Sequence, residues 1–363
     1  MTNIHSFNFG VEDAPRFVER IQRSVPFVSW GINNMMPEEL YLAIDYSPIH
    51  ATAIRTKVEN ATGQGLKKDY RINKKETLND VLRQIFFEYI VTGNLFLELI
   101  WKTDRREGIE SIHVIPSKYI RAKTPENYEL ISNEWLYCRD WANWRKSGVI
   151  KFCDFDPLNF VDRQLLHVRN YTPGLEFYGA PSYLSAFSDV RLSRAISDYN
   201  LHSILNGAQP SLWINFPQEP DSQNDMEDVL RRLEERYRGP ANAGRVIVSY
   251  GSDGMKPEIT TISPTLVGGM FQEIFSLVRE NILAGHQIPD SSICGLPSPS
   301  GFSSQADQLR TAYELFMKTT IQPLQKFILS ELDPVIKLMQ PNEDVKLEIV
   351  ENEFLKPAPN VIQ

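Results

Sequence analysis

A helical spacing of hydrophobic positions runs through residues 37–60, with Pro48 placed to open a second helix as a residue of its first turn. Gly63-Gln-Gly65 breaks that pattern, and a further helix is predicted over residues 77–91. Residues 94–101, rich in Leu, Phe and Ile, then read as a strand. Residues 103–108 form a polar turn, and 109–115 read as a second strand. Residues 116–177 read as short strands and loops, including 165–171. The first 30 residues have little periodicity beyond Phe17, Val18 and Ile21, and read as an arm. The first half is therefore α+β.

The second half changes character. Residues 181–206 predict a long helix, with Pro181 near its first turn and Gly207 and Pro210 closing it. Its length would be about 40 Å. Leu192, Ala195, Ile196 and Tyr199 form one apolar stripe, and Leu201, Ile204, Leu205 and Ala208 repeat it nine residues on. Steps of about 100° put the second stripe on the opposite side. Such a helix either meets different partners at different heights or is buried in one core. A strand over 212–216 and a polar loop follow, then a charged helix over 226–237. Glu227 with Arg231, Asp228 with Arg232, and Glu234 with Arg238 stand in the favourable acid-first i, i+4 order. Strands are predicted at 245–250 and 258–262, with a turn at 251–254 between them. A second long helix starts at Ser263-Pro264 and runs to about Gly285, striped by Val267, Met270, Phe271 and Ile274 and weakened at its start by Gly268-Gly269.

Residues 289–303 form a loop of small residues, proline and serine. Its length exceeds most connections in compact domains, which raises its functional interest. Ser304-Gln-Ala-Asp307 then caps a third long helix, striped by Leu309, Ala312, Tyr313 and Phe316. Pro323 should kink this helix, because periodicity resumes at Leu324, Phe327 and Ile328. Residues 345–350 read as a closing strand and 356–359 as a flexible tail, with no internal repeat.

Composition narrows the class. The 363 residues carry 38 Lys and Arg against 46 Asp and Glu, a net charge of −8. That balance argues against a protein that wraps or coats nucleic acid. Three scattered cysteines, Cys138, Cys153 and Cys294, with no CxxC pair, read as a reduced compartment without a disulfide framework or zinc knuckle. The start has no basic segment followed by an apolar run, so no signal peptide is expected. The most apolar window, 81–101, is interrupted by Arg83, Glu88, Asn94 and Glu98 and reads as core, not membrane span.

The chemistry-bearing motifs are few. Gly174 with Gly179, and Gly239 with Gly244, have the glycine spacing of a phosphate loop, but Ala180-Pro181 and Arg245-Val246 follow where Lys and Ser/Thr are needed. Ser298 and Ser300 lack the flanking glycines of a nucleophile elbow. The six histidines show neither HxxxH nor HxH spacing, so no preformed zinc site is expected. Cys294 lies in the long loop without a neighbouring histidine motif and reads as a small filler residue. Asp154 and Asp156 could share one strand face, as in a magnesium nuclease, but Pro157 follows at once and a polar turn is the preferred reading. Arg231, Arg232, Arg236, Arg238 and Arg245 are matched by Asp225, Glu227, Asp228, Glu234 and Glu235. They read as a solvated, self-paired face, with an ion-paired subunit interface as the alternative.

The order of segments says more than any single site. Leu165-Leu-His-Val-Arg-Asn-Tyr171 followed by Glu176-Phe-Tyr-Gly-Ala-Pro-Ser-Tyr-Leu-Ser-Ala-Phe187 resembles the signature of tailed-bacteriophage portal proteins. Val91-Thr-Gly-Asn-Leu-Phe-Leu-Glu98 is similar to that family's glycine-asparagine strand entry. Ile204-Leu-Asn-Gly-Ala-Gln-Pro210 resembles the end of its first stem helix, and Ile282-Leu-Ala-Gly-His-Gln-Ile-Pro289 its helix end before a proline. Thr320-Ile-Gln-Pro-Leu-Gln325 resembles its later kinked helix. The motifs stand in order at matching intervals over about residues 30–355, most similar to the smaller portal type of long-tailed phages and prophages.

The resemblance implies an α+β portal fold: an arm (1–29), an α/β wing (30–180), stem helices (181–209 and 264–288), a small α/β clip (210–263), a tunnel loop (289–303), a kinked wing or spine helix with a closing strand (304–355) and a tail (356–363). It implies a homo-oligomeric ring, dodecameric in the virion, at one capsid vertex. The ring would conduct double-stranded DNA during packaging, retention and ejection. Its partners would be the terminase large subunit, head-completion or adaptor proteins, and the major capsid and scaffold proteins, with no membrane and no cofactor. Ser298, Pro299, Ser300, Gly301, Phe302 and Ser303 would face the DNA, and the five arginines of the clip would hold subunits or partners. No nucleotide hydrolysis is expected of the chain itself. A neck adaptor or minor head protein, and a metal-dependent nuclease using Asp154 and Asp156, remain as alternatives.

Overall fold

A computed structural model of the chain describes residues 17–22, 24–125, 134–159, 161–205, 211–216, 246–250, 258–262, 268–296 and 306–352. The chain divides into two compact units. One comprises Met1–Val190 and Glu280–Gln363, the other Arg191–Arg279.

The first unit opens with a hairpin, β1 (Glu19–Ile21) against β2 (Val28–Trp30). Part of the segment that lacks a period in the sequence thus forms a hairpin. Strands of three residues are too short to show a period, but Phe27, Val28 and Trp30 are buried. Phe27 joins Leu136, Cys138 and Trp141 in a small core of their own. Beside it Arg121 is fully buried, its guanidinium donating to Asn34 Oδ1 (2.7 Å), Asn34 O (2.7 Å) and Ile120 O (2.8 Å), with Glu38 3.5 Å away. A buried charge is tolerable only when satisfied in this way.

Three helices follow. Pro37 and the acids Glu38 and Glu39 sit in the first turn of α1 (Met36–Tyr46), where a missing N–H and negative charge are both favoured. Ser47 caps α2 (Pro48–Thr62), its hydroxyl accepting the His50 N–H. Thr77 and Asp80 form a capping box on α3 (Leu78–Thr92). The α3 stripe Leu78, Val81, Leu82, Ile85, Phe86 and Ile90 is buried.

The helices accompany a six-stranded sheet of order β4-β3-β8-β7-β6-β5, built from β3 (Asn94–Trp101), β4 (Ile109–Ile115), β5 (Ile120–Ala122), β6 (Glu134–Tyr137), β7 (Ile150–Asp154) and β8 (Arg163–Arg169). A short helix α4 (Trp144–Ser147) joins β6 to β7. All pairings are antiparallel except β7 with β8. β3 lies second from the edge and is buried along most of its length on both faces, which is why its sequence is apolar everywhere but Asn94 and Glu98 instead of alternating.

The predicted helix over 181–206 starts later than its sequence suggested. Residues 184–186 form a single 3-10 turn, and α5 spans Phe187–Leu205. Its buried face also differs: Val190, Ser193 and Ile196 are buried, whereas Leu192, Ala195 and Leu201 are exposed. In the second unit, β9 (Ser211–Phe216) lies between β10 (Val246–Tyr250), which it pairs in parallel, and β11 (Glu258–Ile262), which it pairs antiparallel. Parallel neighbours need a long crossover, and here it is residues 217–245, where the charged helix was expected; that stretch lies outside the described residues. α6 covers Gly268–Gly285. Both α5 and α6 cross the boundary between the units.

Back in the first unit, α7 (Ala306–Phe316) continues through a π turn (Met317–Ile321) into α8 (Gln322–Met339). The widened turn just ahead of Pro323 takes up the clash of its ring with the preceding carbonyls, so the helical path continues past the proline. Ile328, Leu332, Val335, Ile336 and Met339 bury one face of α8. The closing strand expected over 345–350 is not formed. An isolated bridge of Ile349 to Leu66 and backbone bonds to Gln64 and Lys67 hold that segment. Among the described residues no helix is long and apolar enough to cross a membrane.

Candidate functional site

The densest polar network lies where the chain leaves β8 and approaches α5, within the 165–187 signature. Gly93 ends α3 in the left-handed region (φ +73°), and a Cβ there would collide with the Ala180 carbonyl. A Cβ on Gly179 would in turn strike Gly93 O and lie 2.7 Å from the backbone N and O of Asn170. Two backbones therefore cross at van der Waals distance, and only glycine fits on either side. Asn94 clamps the crossing. Its Nδ2 donates to Gly179 O (2.8 Å) and Thr92 O (2.9 Å), and its Oδ1 accepts from Gly179 N (2.7 Å). Asn170 completes it, with Nδ2 donating to Ala180 O (2.7 Å) and its N–H to Gly93 O (2.8 Å).

Flanking side chains tie this crossing to the rest of the unit. His167 Nε2 lies 2.9 Å from Asn94 Oδ1, and its ring stacks on Phe96 at 4.4 Å. Burial, assisted by Arg169, holds its pKa down at about 3, so it stays neutral. Tyr178 stacks on Trp30 at 4.2 Å; its hydroxyl donates to Val28 O (2.7 Å) and accepts from Ala122 N (2.9 Å). Glu19 of β1 accepts three consecutive N–H groups, from Glu176 (2.7 Å), Phe177 (2.9 Å) and Tyr178 (2.6 Å). Burial still keeps its carboxyl above the ordinary range, although those N–H groups and Arg169 favour the charged form. Tyr183 OH donates to Val91 O (2.7 Å). The path from β8 into α5 is thereby fixed to α3, β3 and the N-terminal hairpin at once.

A second cluster holds the end of α6. His50 Nδ1 lies 2.9 Å from His286 Nε2, across 236 residues of sequence, and both rings lie 4.7 Å from Tyr183. Lys57, also buried, donates to Ser182 Oγ (3.1 Å), and burial lowers its pKa to about 8.

The remaining candidates look different. Asp154 Oδ1 accepts from Trp135 Nε1 (3.1 Å), and Asp156 Oδ1 accepts from Leu158 N (2.8 Å). The two carboxylates are thus engaged in holding a strand end and a turn, as the polar-turn reading requires. Burial raises the pKa of Asp154. Among the described residues no group of three or more His, Cys, Asp or Glu could hold a metal ion. On the open sheet face a groove of about 730 Å³ is lined by Glu98, His113, Tyr137, Ile150 and Arg163 among others, with Glu98 and Arg163 paired at 3.2 Å. Ser298, Pro299, Ser300, Gly301, Phe302 and Ser303, and Arg231, Arg232, Arg236, Arg238 and Arg245, lie outside the described residues. Sequence reasoning overlooked Glu19, His50, Lys57 and His286. Asn94 stood in a quoted motif, but its role as a clamp needs the partner 85 residues away.

Comparison with known proteins adds an independent line. A family model described as phage portal protein matches residues 67–359. An uncharacterized protein of Rickettsia bellii (strain RML369-C) is 25% identical over 193 residues, covering 51% of this chain and 44% of that protein. The chain thus spans less than half the length of that curated relative. Among solved structures, a chain of the virion of a native gene transfer agent particle is similar with a TM-score of 0.56 and 15% identity, over 91% of this chain and 84% of that one. A chain of the neck of the native particle, computed with C12 symmetry, gives 0.54 and 16% over 85% and 80%. At these identities the likeness is one of fold.

Proposed function

The chain belongs to the phage portal protein family, and from that premise we propose that it assembles into a ring at one capsid vertex that conducts double-stranded DNA during packaging, retention and ejection. The observation that carries this reading is the family match over 67–359, which takes in both units and both helices that cross between them. In this reading α5 and α6 are the stem, the β10-β9-β11 sheet and the 217–245 crossover are the clip, and the six-stranded sheet with its helices is the wing.

Exposed apolar side chains support a ring. Leu192 and Leu201 on α5 are 42% and 53% exposed, and Phe275 and Leu277 on α6 are 42% and 58% exposed. Large apolar side chains left exposed on both helices are available to a neighbouring subunit, and a head-to-tail ring closes without two-fold self-complementarity. The solved neck computed with C12 symmetry makes about twelve copies the natural number. Virion, capsid shell and scaffold contacts, the terminase large subunit and head-completion or adaptor proteins are the partners this assignment entails. The clip arginines would serve subunit or partner contacts, and residues 298–303 would line the channel. The ring itself performs no chemical step; the terminase would hydrolyse the nucleotide. Cryo-microscopy of particles carrying this chain tests the assignment. Density for it around the DNA at one vertex, inside the shell, is the expected result. Density only outside the shell would make it a neck adaptor instead.

A further inference from the structure

The cluster at the end of α6 has a composition that a purely structural joint does not need. His286 N donates to Ile282 O (3.0 Å), Gln287 N to Ala284 O (2.9 Å) and Ile288 N to Leu283 O (3.0 Å), so the backbone turns sharply there. Gln287 adopts φ +59°, a left-handed conformation that costs a non-glycine residue. The turn is therefore held by its surroundings. The principal hold is the His50–His286 pair, with Thr320 Oγ1 donating to Gln287 O (3.3 Å) alongside. Both imidazoles are fully buried.

The pair is satisfied on one side only. Among the described residues, His50 Nε2 and His286 Nδ1 have no hydrogen-bond partner. In either tautomer of two neutral rings, the shared bond leaves one buried N–H and one buried bare nitrogen. No acid faces them. The elements packed here contribute Tyr183, Lys57 of α2, and Cys294 of the Ser291–Cys294 turn, which bonds Thr56. The neighbouring carboxylates are engaged elsewhere: Asp189 by Asn281 Nδ2 (3.0 Å) and Asp290 by Ser292. Glu280 of α6 and Lys318 of the π turn are exposed. A first proton would bury a new cation beside Lys57, and a second would set two N–H groups against each other across 2.9 Å.

We propose that the His50–His286 pair, closed by Tyr183 and faced by Lys57, is a proton-sensitive latch that fastens the end of α6 and the Ser291–Cys294 turn to α2, and releases them when the imidazoles are protonated. Burial holds His50 down at about 4 and His286 well below the ordinary 6.5, with Lys57 and His50 adding to the latter. The sign follows from linkage. The closed joint binds fewer protons than the open one, so its stability is fully present above about 6.5 and declines as pH falls toward about 4. From pH 7.0 to 5.5 each histidine raises the opening constant about eightfold, and the pair on the order of seventyfold.

Amide hydrogen exchange on the full-length protein at pH 7.0 and 5.5, corrected for intrinsic rates, reads this directly. Protection of residues 282–296 should fall on the order of seventyfold while that of residues 82–92 in α3 holds. His50→Gln and His286→Gln should each reduce the fall to about eightfold. Between pH 6 and 5 the wild-type profile alone should approach a two-proton slope confined to 282–296, so the test stands even if a variant does not fold. Protection of 282–296 that is independent of pH, an equal fall in α3, or variants that behave as the wild type would each overturn the latch.

Discussion

Replacing Asn94 by Ala tests the crossing between Gly93 and Gly179 at its centre. Asn94 is fully buried, and its amide takes part in four hydrogen bonds, with Gly179 N, Gly179 O, Thr92 O and His167 Nε2, at 2.7 to 2.9 Å. Truncation deprives both polar groups of Gly179 and the His167 ring of this partner, in a place where the packed backbones leave no room to rearrange. A buried group deprived of its partner costs about 1–3 kcal/mol. These groups share one cavity and their costs do not simply add, so the expected loss is about 4 kcal/mol. For a unit of this size that lowers Tm by about 7 °C. Differential scanning calorimetry of the purified chain measures it, with urea unfolding as a second readout. Asn143 is the control: it also bonds through its amide, to Asp140 at 2.8 Å, but on the surface. Asn143→Ala should change stability by no more than about 0.5 kcal/mol. If Asn94→Ala costs less than about 1 kcal/mol, or no more than the control, the crossing is not the keystone argued above.

Other outcomes follow from the same structure. Tyr178→Phe keeps the stack on Trp30 but leaves Val28 O and Ala122 N without that hydroxyl, and should cost about 1–3 kcal/mol in urea unfolding with the m-value unchanged. Leu192→Glu combined with Leu277→Glu changes exposed positions, so the subunit should unfold at nearly the wild-type temperature while ring assembly, followed by native mass spectrometry, is lost. Rings that persist in this variant would remove α5 and α6 from the subunit interface. Deleting residues 298–303 should leave ring assembly intact and impair DNA packaging or retention; loss of the ring itself would contradict the tunnel-loop role. Asp154→Ala with Asp156→Ala should abolish no magnesium-stimulated DNA cleavage, because the wild type should show none.

Much of the fold was legible because its elements carry strong local signals. The helical spacing over 77–91, Pro48 in a first turn, and the apolar residues of β3 each fix an element within a residue or two. Where local signals were thin, tertiary contacts decided. The β1–β2 hairpin has no period because each strand has three residues, and it is held by Glu19, Phe27 and Trp30 against distant partners. The start of α5 was placed too early because Pro181 looked like a first-turn proline. The Gly179–Ala180 clamp and the Tyr183 bond to Val91 O hold residues 179–183 in another path. On α5 the apolar stripe is divided: Ile196 is buried, whereas Leu192 and Ala195 are exposed. A helix of a ring subunit is expected to break the rule that apolar residues face their own core.

The functional elements divide along the same line. The glycine-asparagine entry at 91–98 and the 165–187 signature were visible as motifs, and the structure explains them as two sides of one crossing. The His50–His286 pair was invisible, since no spacing rule joins residues 236 positions apart. The charge of −8 excluded tight wrapping of DNA, and that exclusion suits a conduit. In the proposed ring of about twelve copies the charge would be on the order of −100, and phosphates would slide past with little counterion release to hold them.

A chain that closes into a ring around a channel can be seen as one. Single-particle electron microscopy of the purified, assembled protein tests it most directly. Closed rings of about twelve subunits are expected, with an open axial channel wide enough for duplex DNA and with α5 and α6 at the subunit contacts. Monomers or small two-fold oligomers under every assembly condition would contradict it.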